Sequence, residues 1–272
     1  MRDFFLNKVV IVTGSSSGIG LATVRLLAEK GAKIVLAARN KDKLDNIVNE
    51  LEEKGADVFA VKTDVSLEQD CRNLIEETVS HFKTIDILIN NAGISMRALF
   101  KDVDLKVIRT LMEVNFFGTV YCTKYALPYL MENKGFVVGV SSVAGFHGMP
   151  GRIGYSASKH AMHGFMSSLR IENLKTDLHV LLVIPGFTAS NVRRSALVAD
   201  GALQGESPRK EGKMMLPDEV AKAILKGIQK KKKRVLLTFI GKGSAIMKKC
   251  FPSYLDKLFY KHLAKEPNSP FE

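Results

Sequence analysis

The chain has no tryptophan, three cysteines, eight prolines and six histidines in 272 residues. Each scarcity excludes something. Cys71, Cys122 and Cys250 are odd in number and far apart in sequence, so no disulfide framework, cysteine zinc site or closely spaced redox pair is expected. Among the histidines, His160 and His163 stand at i, i+3, but no carboxylate completes a ligand set beside them, and no metal is expected. No apolar run approaches the roughly 18 residues of a membrane-spanning helix. An apolar strand follows directly after Asn7, without a leader pattern. The expected setting is cytoplasmic, with peripheral membrane contact left open. With 46% hydrophobic and 25% charged residues, the composition is that of a folded chain and excludes wholesale disorder.

What is plentiful is positive charge: 40 Lys+Arg against 28 Asp+Glu, a net +12. The excess is local. Residues 222–265 carry 13 basic side chains and a single acid, Asp256, while the remainder has 27 of each sign. The body is therefore balanced, and residues 240–272 form a basic C-terminal extension. In it, Ser253 is a candidate helix cap after Pro252. Leu255, Leu258, Phe259, His262 and Leu263 then fall on one stripe, with Lys257, Lys261 and Lys265 on another face. Such a helix can dock on its own body or across a subunit interface, lie on an anionic membrane, or meet an acidic partner. No nucleic-acid module is present, and no nucleic-acid partner is expected.

Short apolar runs alternate with amphipathic stretches. Strands are predicted at 8–13, 33–38, 57–62, 86–90, 135–141, 179–184 and 234–238. Helices are predicted at 19–30, 41–54, about 66–82, 105–114, 117–131, 155–173 and 217–230. Ser66 with Gln69 makes a capping-box pattern at the third helix. The alternation predicts one α/β domain over 1–272, a doubly wound parallel sheet with helices on both faces. Residues 187–216 have no clear period and read as a substrate lid.

The first strand ends in Thr13-Gly14-Ser15-Ser16-Ser17-Gly18-Ile19-Gly20. Glycines between a first strand and a first helix let backbone N–H groups approach a pyrophosphate, and the helix start adds a favourable dipole. That position favours dinucleotide binding through Gly14, Ser16, Ser17, Gly18, Ile19 and Gly20. A strand that serves NAD usually ends in an acid that bonds the ribose hydroxyls. The second strand here ends Ala37-Ala38-Arg39-Asn40. A carboxylate would repel a 2′-phosphate, whereas the Arg39 fork can bind one, so NADP(H) is the expected preference and NAD(H) the alternative. Tyr155 and Lys159 are four apart on a predicted helix and share a face. An ammonium beside a phenol favours the phenolate and lowers the pKa of a would-be proton-transfer group.

The spacing T-G-x-x-x-G-x-G resembles that of the short-chain dehydrogenase/reductase family. The resemblance spans about residues 9–238 and extends to Asn90-Asn91-Ala92-Gly93, to Asn115 and to Pro185-Gly186 with Thr188 close behind. It implies a single Rossmann-type domain and carbonyl–alcohol oxidoreduction. Ser142, 13 residues before Tyr155, completes the family's Ser…Tyr-x-x-x-Lys arrangement. By this resemblance Tyr155 exchanges the proton with the substrate oxygen, and Lys159 tunes Tyr155 and holds the nicotinamide ribose. Ser142 orients the carbonyl, and Asn115 helps hold a relay water. Asn91, Ala92, Gly93, Pro185, Gly186 and Thr188 line the cofactor, and Asp64 and Val65 meet its adenine. The family also implies a homodimer or homotetramer.

The expected pocket walls are 94–99, the loop after Ser142, where His147 could reach the substrate mouth, and the lid. Met96, Phe146, Met149, Phe187, Met214 and Met215 suit a lipophilic carbonyl or alcohol. Arg97, Arg193 and Arg194 could serve an anionic one. Rival readings are a 3-oxoacyl-carrier-protein-type reductase, whose acidic carrier would use the basic end, and a non-catalytic nucleotide-binding sensor or scaffold.

Overall fold

The computed structural model describes residues 4–189, 192–205, 214–237, 251–264, 269 and 271. Strands and helices alternate: β1 (Val9–Thr13), α1 (Gly18–Ala28), β2 (Lys33–Ala38), α2 (Lys41–Glu52), β3 (Val58–Lys62), α3 (Glu68–Phe82) and β4 (Ile87–Asn90). Then come α4 (Leu105–Met112), a π-helical turn (Glu113–Phe117), α5 (Gly118–Glu132), β5 (Phe136–Val140), α6 (Ile153–Glu172) and β6 (His179–Ile184). The chain continues through α7 (Pro217–Gln229), β7 (Arg234–Leu236) and α8 (Pro252–Ala264). The strands pair in parallel in the order β3-β2-β1-β4-β5-β6-β7. Strand order reverses between β1 and β4, which opens a crevice at their carboxyl ends.

The apolar runs predicted as strands are buried on both faces. Ile11, Val35, Leu88, Val137 and Leu182 point to one layer, which includes α3, α5 and α6. Val10, Val12, Ile34, Ile87, Val138 and Leu181 point to the other, with α1 and α7. This is why these strands lack the polar alternation of a one-sided sheet.

Several local expectations differ. The π-turn joins α4 and α5, expected as separate helices, into one helical run. The capping box at Ser66 does not form. Asp64 Oδ1 accepts both the Ser66 N–H (3.0 Å) and the Ser66 hydroxyl (2.7 Å), Gln69 donates to Asn73, and α3 starts two residues later. At α7, Glu219 does reach back to the N–H of Leu216 (2.8 Å). Cys71 and Cys122, distant in sequence, meet where α3 packs on α5, and their thiols hydrogen-bond. That bond and burial push the Cys122 thiol up, so it stays protonated as a packing group.

α8 docks on the body through Leu255, Phe259 and Leu263. Leu258 does not share that face and is exposed, and Ser253 lies inside the helix, which begins at Pro252. Pro is well placed at a helix start because its missing N–H has no partner there. Thr238, Lys242, Cys250, Lys265 and the His262 side chain lie outside the described residues. Within 187–216 Thr188 bridges Met215, and Leu197 bridges Met96 in the loop after β4, both in parallel.

Candidate active site

The phosphate turn is held by its neighbours. Thr13 Oγ1 accepts the backbone N–H groups of Asn91 and Ala92, both at 3.0 Å. The Asn91 amide donates in return to the carbonyls of Thr13 (2.9 Å) and Gly14 (3.3 Å). β1 and β4 are thereby locked where the sheet order reverses. Gly14 has φ +66° and Gly18 φ +54°, a region L side chains avoid. Gly20 is needed for space: a Cβ there would lie 2.3 Å from the Gly14 carbonyl oxygen. Ser17 makes no side-chain cap to α1, which leaves the helix start available to an anion.

From this turn a cleft of about 440 Å³ runs across the sheet end. Gly14, Ser16, Ser17, Gly18 and Ile19 line one stretch of it. Arg39, Asn40, Asp64 and Val65 line the next, and Asn91, Ala92 and Gly93 the floor. Gly20 lies beneath, buried. Arg39 is exposed. Asn40 caps α2, its Oδ1 accepting the Lys43 N–H at 2.8 Å. Lys43, one turn beyond Arg39, also lines the cleft. The cradle fits an elongated dinucleotide: its turn is shaped by glycines at positive φ, a helix start lies uncapped, and cations stand at the far end.

Tyr155 and Lys159 close the near end. α6 turns both inward at i, i+4. Lys159 is 3% exposed, and its Nζ donates to the Val140 carbonyl at 3.0 Å. Burial lowers its pKa to about 8. Tyr155 is raised by burial, against a hydrogen bond with Ser142 and the charges of Arg152 and Arg193. This departs from the expected pairing. Lys159 Nζ lies 5.9 Å from the Tyr155 ring centre and gives one of its donors to Val140, and it is Ser142 and the two arginines that oppose burial in favour of the phenolate.

Asn115 sits in the π-turn, wholly buried. Its Oδ1 accepts the Ile94 N–H (2.8 Å), and its Nδ2 donates to the Ile94 carbonyl (3.0 Å) and to Ser158 Oγ (2.9 Å). It therefore sutures the loop after β4 to α6. A Cβ on Gly93 would stand 3.1 Å from Asn115 Oδ1 and 3.4 Å from Lys159 Nζ, so the loop lies flat against both.

Ser142 begins a short 3₁₀ turn and accepts the Ala144 N–H at 3.2 Å. With Tyr155, Pro185, Gly186 and Thr188 it lines a smaller pocket of about 120 Å³ next to the cleft. Met149 and Arg152 are also on its wall.

His147 does not reach this pocket. It is buried under α8, stacked on Phe259 at 4.5 Å, with Nε2 3.4 Å from Asp256. His163 Nε2 lies 2.7 Å from Ser141 Oγ, and burial lowers its pKa to about 3, so it is neutral. Among the described residues no cluster could hold a metal ion. Lys43, Arg152 and Ser141 were missed by sequence reasoning. Lys43 carried a signal, being one turn from Arg39; Arg152 precedes α6 with no local mark of its role.

Comparison with known proteins agrees with this geometry. Residues 8–199 match the family model described as short chain dehydrogenase. The Mus musculus dehydrogenase/reductase SDR family member 7B is 34% identical over 274 residues, covering 98% of this chain and 85% of that protein. A short chain dehydrogenase/reductase from Burkholderia phymatum, solved in complex with NAD, superposes with TM-score 0.79 at 25% identity over 100% of both chains. The alcohol dehydrogenase of the archaeon Thermococcus sibiricus, solved with 5-hydroxy-NADP, gives 0.76 at 26% identity over 85% of this chain and 95% of that one.

Proposed function

The chain belongs to the short-chain dehydrogenase family, and from that premise we propose that it interconverts a carbonyl and an alcohol on an apolar substrate, with NADP(H) preferred. The observation that carries the reading is that Tyr155 is a wall of both the dinucleotide cleft and the small Ser142 pocket. A proton donor is useful only where a hydride source and a carbonyl meet. When bound, the dinucleotide supplies or accepts the hydride.

The chain's own residues handle the rest. Burial keeps the Tyr155 phenol protonated at neutral pH, as an acid must be to donate to a carbonyl oxygen. Ser142, which lowers the Tyr155 pKa against burial and lines the same small pocket, shares that oxygen. Lys159, poised by burial near pH 8, holds the ribose and restores the proton. The side chain of Asn115 is fully engaged, which supports a positioning role: it keeps Gly93 and Ile94 in register with α6. At the adenosine end Arg39, with Lys43 beside it and no acid at position 38, supports selection of a 2′-phosphate.

The test is to follow NADPH and NADH oxidation by fluorescence with a panel of apolar ketones and aldehydes. Turnover with NADPH, faster than with NADH, is expected. Absence of turnover across the panel, or a preference for NADH, would overturn the reading; the absence of tryptophan keeps the protein background low.

A further inference from the structure

The small pocket at Tyr155 has room for about 120 Å³, enough for a carbonyl and a few carbons. Ligand sites for larger molecules run to roughly 300–1,000 Å³. A groove of about 600 Å³ lies alongside, between α8 and the loop that follows Ser142. Met149 belongs to the walls of both spaces. Its N–H is fixed by Ser156 Oγ at 3.0 Å, next to Tyr155 on α6, so the residue the two spaces share has a pinned backbone and a side chain of an adaptable type.

The groove is apolar and built from separate elements. Ala98 and Phe100 come from the loop after β4, Ile153 from the start of α6, and Phe259 and Tyr260 from α8. Phe100, Ile153 and Tyr260 are 62%, 44% and 50% exposed around this one concavity, a grouping that marks a binding surface. α8 is a firm wall because Leu255, Phe259 and Leu263 are sunk in the core. Lys257 and Lys261, one turn apart on α8, also line the groove. Asp256 and His147 line the groove as well, and the Asp256 carboxylate faces His147 Nε2 at 3.4 Å.

We propose that this groove, entered past Met149, holds the distal part of the substrate: an extended apolar chain carrying the reactive carbonyl or alcohol at one end and an anionic group, such as a carboxylate, at the end that meets Lys257 and Lys261. The proposal rests on the oxidoreductase reading for the carbonyl end. The groove itself is testable without turnover. It gives the C-terminal lysines a role in substrate choice, and it makes α8 part of the site rather than an appendage.

Dodecanoate is the probe for direct binding to the full chain, measured by calorimetry. Binding is expected, about tenfold weaker in the Lys257→Glu/Lys261→Glu double variant, as reversal of two exposed charges warrants. In parallel, methyl ketones of increasing length, with and without a terminal carboxylate, are assayed with NADPH. kcat/KM should rise about threefold per methylene until the groove is filled. Ile153→Trp, at an exposed position that tolerates bulk, should flatten that rise. Failure of dodecanoate to bind, or equal binding by wild type and the double variant, would overturn the groove. Short ketones turned over without gain on lengthening would do the same while leaving the oxidoreductase reading standing. Charge-sensitive dodecanoate binding with no turnover of any carbonyl would overturn the oxidoreductase reading and leave the groove.

Discussion

Around Gly14–Gly20 the cleft wall is backbone: two positive-φ glycines, a third with no room for a Cβ, and a helix start without a side-chain cap. Around Tyr155 the wall is side chain, Asn115 and Lys159 buried and Ser142 and Tyr155 partly so, delivered by a π-turn, a 3₁₀ turn and α6. The first end works by shape and by aligned amides, which serve any pyrophosphate. The second works by proton affinity, which depends on what each side chain touches. The phosphate end should therefore fail in binding and the catalytic end in turnover.

The sharpest break between the two is Tyr155→Phe. Loss of a general acid costs on the order of 10²–10⁴-fold, so kcat should fall by about 10³ while NADPH binding, read by fluorescence titration, holds. A parallel loss of binding would dissolve the distinction. The same end is pH-sensitive in a defined direction. Burial raises Tyr155 above its ordinary value, so alcohol oxidation, which needs the phenolate, should climb as pH rises. Ser142 opposes that rise, and Ser142→Ala should move the climb to still higher pH.

The complementary break is Gly20→Ala. The new Cβ would stand 2.3 Å from the Gly14 oxygen, so the turn must shift. A displacement near 1 Å costs about 10²-fold where geometry is everything. NADPH affinity of the folded protein should fall by about that factor, with a lower melting temperature because the clash is with backbone, and intact affinity would show the turn to be more compliant than its geometry indicates. A smaller effect is expected from Arg39→Ala. Losing one charge-assisted fork should weaken NADPH by about tenfold, with NADH unaffected. Equal losses for both cofactors would remove Arg39 as the discriminator and leave Lys43 to be tested.

These two ends also differ in how much of them a reader of the sequence can see. The phosphate turn is eight consecutive residues between a strand and a helix, so Gly14, Gly18 and Gly20 are legible from local order alone. The strands are legible too, because burial on both faces writes them as unbroken apolar runs. The catalytic end is legible as residue types but not as contacts. That Lys159 donates to Val140, that Asn115 grips Ile94 and Ser158, and that Arg152 biases Tyr155 all depend on long-range packing. His147 shows the limit most clearly. Proximity to Ser142 in sequence placed it at the substrate mouth, whereas it lies outside the Ser142 pocket, in the wall of the groove under α8, stacked on Phe259 from more than a hundred residues later in the chain. The charge count found α8 as a basic helix, yet its lone acid, Asp256, is what meets that histidine.

The mildest prediction tests whether the adenosine end is purely a binding wall. Asn40 lines the cleft and caps α2 through the Lys43 N–H. Removing a cap of this kind costs about 1 kcal/mol. For a chain of this length, that corresponds to a melting temperature lower by roughly 2–4 °C. Asn40→Ala should show that loss in the absence of cofactor, and NADPH affinity should fall by less than the Arg39→Ala loss. A variant with full stability and a large affinity loss would reverse the assignment, making the Asn40 amide a direct cofactor contact. Asn40→Asp separates the two roles further. A carboxylate still caps α2, and does so more favourably beside the helix dipole. Beside Arg39, however, it places negative charge against a 2′-phosphate. Stability kept with NADPH selectivity lowered would assign the cap to the oxygen and the cofactor preference to the local charge.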